Sequence, residues 1–182
     1  DFQTAYLPNP LLSPFELYQA LAEELNIVVP QGITMHDLVK RITGELVVLS
    51  KSDKKAVLCI DEAQAMPRES LEALRLLSNL ETEKHKLLQI VIFAQSELDA
   101  LLKNDNLRQL RQRITFSYDL PALDRAAVSG YVHHRLTVAG HEGRRLFDEA
   151  ALDAVYRSSR GIPRLVNILC HKALMVAYGQ GQ

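Results

Sequence analysis

The chain has little from which to build covalent or metal-clipped structure. Its two cysteines, Cys59 and Cys170, each sit in an apolar stretch, which supplies no disulfide framework and favours a reducing compartment. No apolar run nears the ~20 residues that span a bilayer; the longest are blocks such as Ala56 to Ile60 and Ile90 to Ala94. Neither charge sign dominates, with 21 Lys and Arg against 22 Asp and Glu and a formal net charge of -1. That argues against a chain built mainly to coat nucleic acid, while leaving room for a local basic patch. The histidines show no ligand spacing: His133 and His134 are adjacent and diverge by about 100° on a helix, and His36, His85, His141 and His171 stand apart. No Cys–His pair matches a zinc pattern, and no Gly-x-Ser-x-Gly elbow supports a serine hydrolase. The chain opens at Asp1 with no charged n-region or signal-peptide pattern, and it is expected to be a piece of something longer.

What is present is the patterning of a folded α/β protein, with 47% hydrophobic and 24% charged residues over 182 positions. Thr4 to Leu7 is a short strand candidate stopped by Pro8 and Pro10. Ser13-Pro14-Phe15-Glu16 reads as a capping box with proline in the first helical turn, and Leu17, Leu21 and Leu25 carry that helix to about Asn26. Leu38, Ile42, Leu46 and Leu49 mark a second helix, and Leu71, Leu74, Leu77 and Leu80 a third. Ala56 to Ile60 and Leu87 to Phe93 lack period-2 alternation, so they are expected to be parallel strands covered on both faces. Ile114 to Tyr118 alternates and is expected to be a strand nearer an edge.

The texture changes after residue 121. Asp124 and Asp148 each precede a helical pattern as a capping residue, Gly140 and Gly161 end those patterns, and Pro163 opens a third. The expectation is an α/β layered domain over 1–121 and a small all-helical subdomain over 122–182.

Chemistry concentrates in a few places. Asp61 and Glu62 directly follow the Ala56 to Ile60 strand, at the carboxyl edge of a parallel sheet, where open α/β folds bind ligands. Asp61 is placed to hold Mg²⁺, directly or through water, and Glu62 to polarise an attacking water. The competing reading is that both acids merely start the next helix, favoured by its dipole. Gln95 lies just past the second apolar strand, where a polar side chain could orient water or simply end the strand. Arg108, Arg111 and Arg113 could donate to a phosphate in trans, contact a nucleic-acid backbone, or form a solvated basic face. Gly161-Ile-Pro163-Arg164 projects an arginine from a proline-fixed first turn, suited to a phosphate or left as an ordinary surface residue.

Taken in order, these pieces resemble an AAA+ P-loop ATPase. More narrowly, long stretches resemble the family of general secretion pathway protein A (ExeA) and the MSHA pilus biogenesis protein MshM. They include Asp61 to Met66, Leu71 to Glu81, Leu107 to Ile114, Gly161 to Leu169 and Lys172 to Gly179, the last two leaning toward MshM. The resemblance implies a Walker B element at Asp61 and Glu62, sensor 1 at Gln95, an arginine finger among Arg108, Arg111 and Arg113, and sensor 2 at Arg164. It implies ATP and Mg²⁺ as cofactors, homo-oligomerisation, and a P-loop NTPase sheet with helices on both faces and a helical lid. It further implies cytoplasmic work for a pilus or type II secretion assembly, with partners at the inner membrane reached through regions outside this chain.

One family element is missing from these residues. The phosphate-cradling loop G-x-x-x-x-G-K-[ST] is absent, and no glycine here is followed by lysine. In the family it precedes the strand resembling Thr4 to Leu7, so it is expected upstream of Asp1 together with the central strand of the sheet order 5-1-4-3-2. The 182 residues alone are therefore expected to bind ATP poorly and to be inactive by themselves. Two other readings stand beside this one: a DNA-handling AAA+ ATPase of the transposition-helper type, and a non-catalytic interaction module.

Overall fold

The computed structural model describes residues 1–81 and 86–181. They form two units, Asp1–Ser117 and Tyr118–Gln182. In the first, strand β1 (Phe2–Leu7) leads through helices α1 (Pro14–Glu24) and α2 (Met35–Lys51) to β2 (Lys55–Ile60). Helix α3 (Arg68–Leu77) then leads to β3 (Leu88–Ile92), followed by the short helices α4 (Glu97–Leu102) and α5 (Arg108–Arg111). The three strands are parallel, in the order β1-β2-β3, with Leu7 opposite Ile60 and Ile60 opposite Ile92. Their carboxyl ends therefore stop level with one another.

Local chemistry explains where the helices begin. Ser13 caps α1 in a full capping box: its hydroxyl accepts from the Glu16 N–H, and the Glu16 carboxylate accepts from the Ser13 N–H at 2.7 Å. Those bonds hold the Glu16 carboxyl below the usual glutamate range. Thr34 caps α2 by accepting from the Asp37 N–H at 3.2 Å. Packing then fixes the layers: α1 lies on β1 and α2 on β2, with Leu17, Leu21, Leu38, Ile42 and Leu46 fully buried against Ala5, Leu58 and Ile60. Leu71, Leu74 and Leu77 of α3 join the same core, each burial stabilising by about 1.5–3 kcal/mol. Tyr6 N–H on the outer edge of β1 donates to Glu24 Oε2 at 2.9 Å, giving that backbone donor a partner no fourth strand supplies among the described residues.

Two expectations need correction. Ile114 to Tyr118 is no strand: it runs without regular structure, with Phe116 92% and Tyr118 80% exposed. Alternation makes a strand only where a neighbour offers a ladder of hydrogen bonds, and none of the described residues pairs with it. The apolar runs in β2 and β3 are also not covered twice among the described residues. Ala56, Leu58 and Ile60 are buried while Val57 and Cys59 are partly open, and in β3 Gln89 and Val91 are exposed. The helical layer lies over one set of alternate side chains; the other set, including Phe2, Thr4 and Tyr6 of β1, keeps contact with solvent.

The second unit holds α6 (Arg125–Val138), α7 (Glu149–Ser159) and α8 (Pro163–Gly179), and no strand among the described residues. Asp124 and Asp148 cap α6 and α7, each accepting from a backbone N–H at 2.7 Å. Val128, Val132, Leu152, Val155 and Val166 make its core. Arg125 ties α6 to α7 through Glu149 and Asp153. No described helix is long and apolar enough to cross a membrane.

Candidate functional site

Asp61 and Glu62 are where the chain leaves β2. The ladder extends one step past the strand, with Asp61 N–H donating to Leu7 C=O at 3.0 Å and Phe93 N–H to Ile60 C=O at 2.8 Å. Glu62 then turns sharply, with φ 51° and ψ 36°, a left-handed conformation rare for a residue with a side chain. Two backbone bonds hold the turn: Glu62 N–H donates to Asp61 Oδ1 at 2.9 Å, and Ala63 N–H donates to Phe93 C=O at 3.1 Å. A short 3-10 turn over Ala63–Ala65 follows.

The side chains form one hydrogen-bonded group at the sheet's carboxyl edge. Tyr6, at the end of β1, donates its hydroxyl to Asp61 Oδ2 at 3.3 Å. Partial loss of water, then the neighbouring Asp61 carboxylate, pushes the Tyr6 phenol above the usual tyrosine range. Glu62 Oε2 accepts from Gln64 Nε2 at 2.5 Å and from Gln95 Nε2 at 3.2 Å. Gln64 Oε1 in turn accepts from the Gln95 N–H at 3.0 Å. Glu62 and Gln95 are exposed, and Asp61 and Gln64 are partly buried, so the group faces solvent while its backbone is fixed by the sheet.

The structure thus brings together Asp61, Glu62 and Gln95, and it adds two residues that the reading of the sequence left without a role. Gln64 was visible in the Asp61-Glu62-Ala63-Gln64 run, and Tyr6 at the end of the first strand candidate; only the parallel register, with Tyr6 opposite Cys59, puts Tyr6 beside Asp61. Arg108, Arg111 and Arg113 are exposed on and just after α5, and among the described contacts none donates to Asp61, Glu62 or Gln95. Arg164 belongs to the second unit, exposed in the first turn of α8. The turn before it depends on Gly161, whose φ is +76° and whose added Cβ would lie 1.9 Å from the Leu123 carbonyl oxygen. Among the described residues no cluster of three His, Cys, Asp or Glu could hold a metal ion; His85 lies outside them.

The AAA domain family (AAA_22) matches residues 2–102, more than half of the chain, and the chain belongs to that family. It is similar to General secretion pathway protein A of Aeromonas hydrophila, with 40% identity over 181 residues covering 100% of this chain and 33% of that protein. Among solved structures it is similar to CDC6P of Pyrobaculum aerophilum, at TM-score 0.71 and 16% identity over 99% of this chain and 49% of that one. A second is the ORC2 protein of Aeropyrum pernix in ADPNP–ADP complexes, at TM-score 0.68 and 13% identity over 100% and 49%. These likenesses show the fold, an AAA+ P-loop NTPase with a parallel sheet. The chain spans about a third of the length of the curated relative and about half of these two structures.

Proposed function

We propose that this chain is the ATP-binding and ATP-hydrolysing AAA domain of a bacterial secretion or pilus-assembly system, of the ExeA and MshM type. The observation that carries the chemistry is the carboxylate pair at the end of the middle strand with the Gln95 amide on Glu62. The identity to General secretion pathway protein A supports the secretion setting; partners at the inner membrane and a cytoplasmic site of action are part of the proposal, carried by the family resemblance.

The donor set fits Mg²⁺ held mainly through water. That ion takes one or two carboxylates and keeps several waters. Asp61 offers one carboxylate whose two oxygens are each already oriented by a donor, Glu62 N–H and Tyr6 hydroxyl, with lone pairs to spare. When bound, Mg²⁺ supplies neutralising charge to phosphate oxygens. Glu62 would accept a proton from the attacking water, and Gln95 would orient that water or the terminal phosphate. Arg164 is proposed as a phosphate-contacting residue, as the resemblance implies, and Arg111, with Arg108 and Arg113 as alternates, would complete the site of a neighbouring copy in a homo-oligomer. The phosphate-cradling loop is not among these residues, so this chain supplies the metal and water side of the site and binds ATP weakly by itself.

Glu62→Gln in the full-length protein tests the reading. ATP binding is expected to persist while steady-state hydrolysis falls by about a hundredfold or more, the scale of a lost general base. Unchanged turnover removes Glu62 from this role. A second reading, a DNA-handling ATPase, is favoured by the exposure of Arg108, Arg111 and Arg113 together. It calls for salt-sensitive DNA binding that Arg108→Ala and Arg111→Ala abolish.

A further inference from the structure

We infer that Gln64 is a positioning residue for hydrolysis: its amide ties the Glu62 carboxylate to the Gln95 loop and selects which carboxylate oxygen faces water. The inference rests on the assignment of Glu62 as the base. The orientation of the Gln64 amide is not free. Its Oε1 accepts from the Gln95 backbone N–H at 3.0 Å, so Nε2 is the end left to donate, and it does so to Glu62 Oε2 at 2.5 Å. The Gln95 side chain donates to the same Oε2 at 3.2 Å. Both amides therefore load one oxygen, and Oε1, which takes no hydrogen bond among the described residues, keeps its lone pairs for a water.

The same bridge does a second job. Gln64 lies on the 3-10 turn after β2 and Gln95 lies beyond β3, so the amide spans two loops whose backbones are joined by the bond from Ala63 N–H to Phe93 C=O. A side chain that fixes both the rotamer of Glu62 and the start of the Gln95 loop holds base and orienting amide in one geometry before substrate arrives. Such outer partners of a reacting group typically matter by about 10–100-fold.

The experiment uses the full-length protein with ATP and Mg²⁺ and a phosphate-release assay. Gln64→Ala is expected to lower kcat by about 10–100-fold with KM for ATP within about twofold, since only the chemical step loses its geometry. Gln64→Glu keeps the length and the acceptor for Gln95 N–H while removing the donor to Glu62; it is expected to lose as much, and it replaces Gln64→Ala if that variant melts early. Combined with Gln95→Ala, the losses are expected to fall well short of multiplying, because the two amides act on one oxygen. A kcat within about twofold of the parent for a folded Gln64 variant, or losses that multiply in full, overturns the role of Gln64. Glu62→Gln run in parallel separates the cases: an inactive Glu62→Gln beside an active Gln64→Glu sinks this inference alone, whereas an active Glu62→Gln sinks the assignment beneath it.

Discussion

Gly161 and Gly140 form a matched pair on which the packing argument can be measured. Both have left-handed backbones, φ +76° and +86°, but an added Cβ at Gly140 meets nothing within 4 Å, whereas at Gly161 it meets Leu123 O at 1.9 Å and Leu123 C at 2.9 Å. Gly140→Ala therefore carries only the left-handed penalty of about 1–2 kcal/mol, offset by about 0.4–1 kcal/mol through the stiffer unfolded chain. Gly161→Ala carries the same terms and must also displace the Leu123 backbone. That segment is pinned, because Leu123 N–H donates to Gly161 C=O at 2.9 Å and Gly161 N–H donates to Ser159 Oγ at 3.2 Å. Losing one such bond costs about 0.5–1.5 kcal/mol, and relieving an overlap in a packed core costs about 1–3 kcal/mol. The expected excess over Gly140→Ala is about 2–4 kcal/mol, or on the order of 10 °C in Tm for a chain of this size. Thermal melts followed by circular dichroism, with amide exchange in α7 and α8 to locate the loss, make the comparison. Equal destabilisation by the two variants would refute the claim that contact with Leu123 makes this glycine irreplaceable.

Ser13→Ala removes the α1 capping box and is expected to cost about 1 kcal/mol, read from the urea midpoint. In an NMR titration Glu16 should return toward the ordinary carboxyl range. Because its folded carboxyl titrates below the unfolded one, its contribution is present above the ordinary glutamate range and is lost as pH falls through the folded value; the variant should lack that acid dependence. Tyr6→Phe keeps the ring and removes the hydroxyl on Asp61. The folded phenol holds its proton more tightly than the unfolded one, so its stabilisation is complete below the ordinary tyrosine range and is lost as pH rises through the folded value. Alkaline unfolding should therefore be shallower in Tyr6→Phe, with the remaining slope including Tyr18, whose phenol burial also raises.

What was legible beforehand is what local chemistry decides. Ser13, Asp124 and Asp148 announced helix starts because a cap is a bond between a side chain and a backbone donor two or three residues on. Pro163 and the leucine spacing of α2 and α3 were readable for the same reason. Ile114 to Tyr118 was not, since a strand is made by its neighbour and alternation alone cannot report whether an edge is on offer. The runs in β2 and β3 misled in a related way: apolar composition says that a face could be covered, not that a layer lies there. Asp61, Glu62 and Gln95 were visible as a set because parallel strands bring their carboxyl ends level. Tyr6 and Gln64 were not, because their parts in the group depend on register and on the direction of an amide.

The backbone itself separates the site from ordinary structure. Among the described residues four positions with side chains have positive φ: Asn26, Asp53, Glu62 and Arg160. Asn26, Asp53 and Arg160 each end a helix, where a left-handed residue satisfies the last carbonyls; Arg160 N–H, for instance, donates to Tyr156 C=O at 2.8 Å. Asn and Asp also tolerate that conformation better than most residues. Glu62 ends no helix. It follows a strand, it is among the residue types that gain nothing from the conformation, and the strain costs of order 1–3 kcal/mol. Bonds from Asp61, Gln64, Gln95 and Phe93 hold the turn and the carboxylate on it, and what the bend achieves is to swing that carboxylate off the line of β2 onto the Gln95 amide. A fold that needed only to leave the sheet could do so with glycine here at less strain. Strain retained at a carboxylate, and at a point where the chain could have avoided it, supports the role proposed for Glu62.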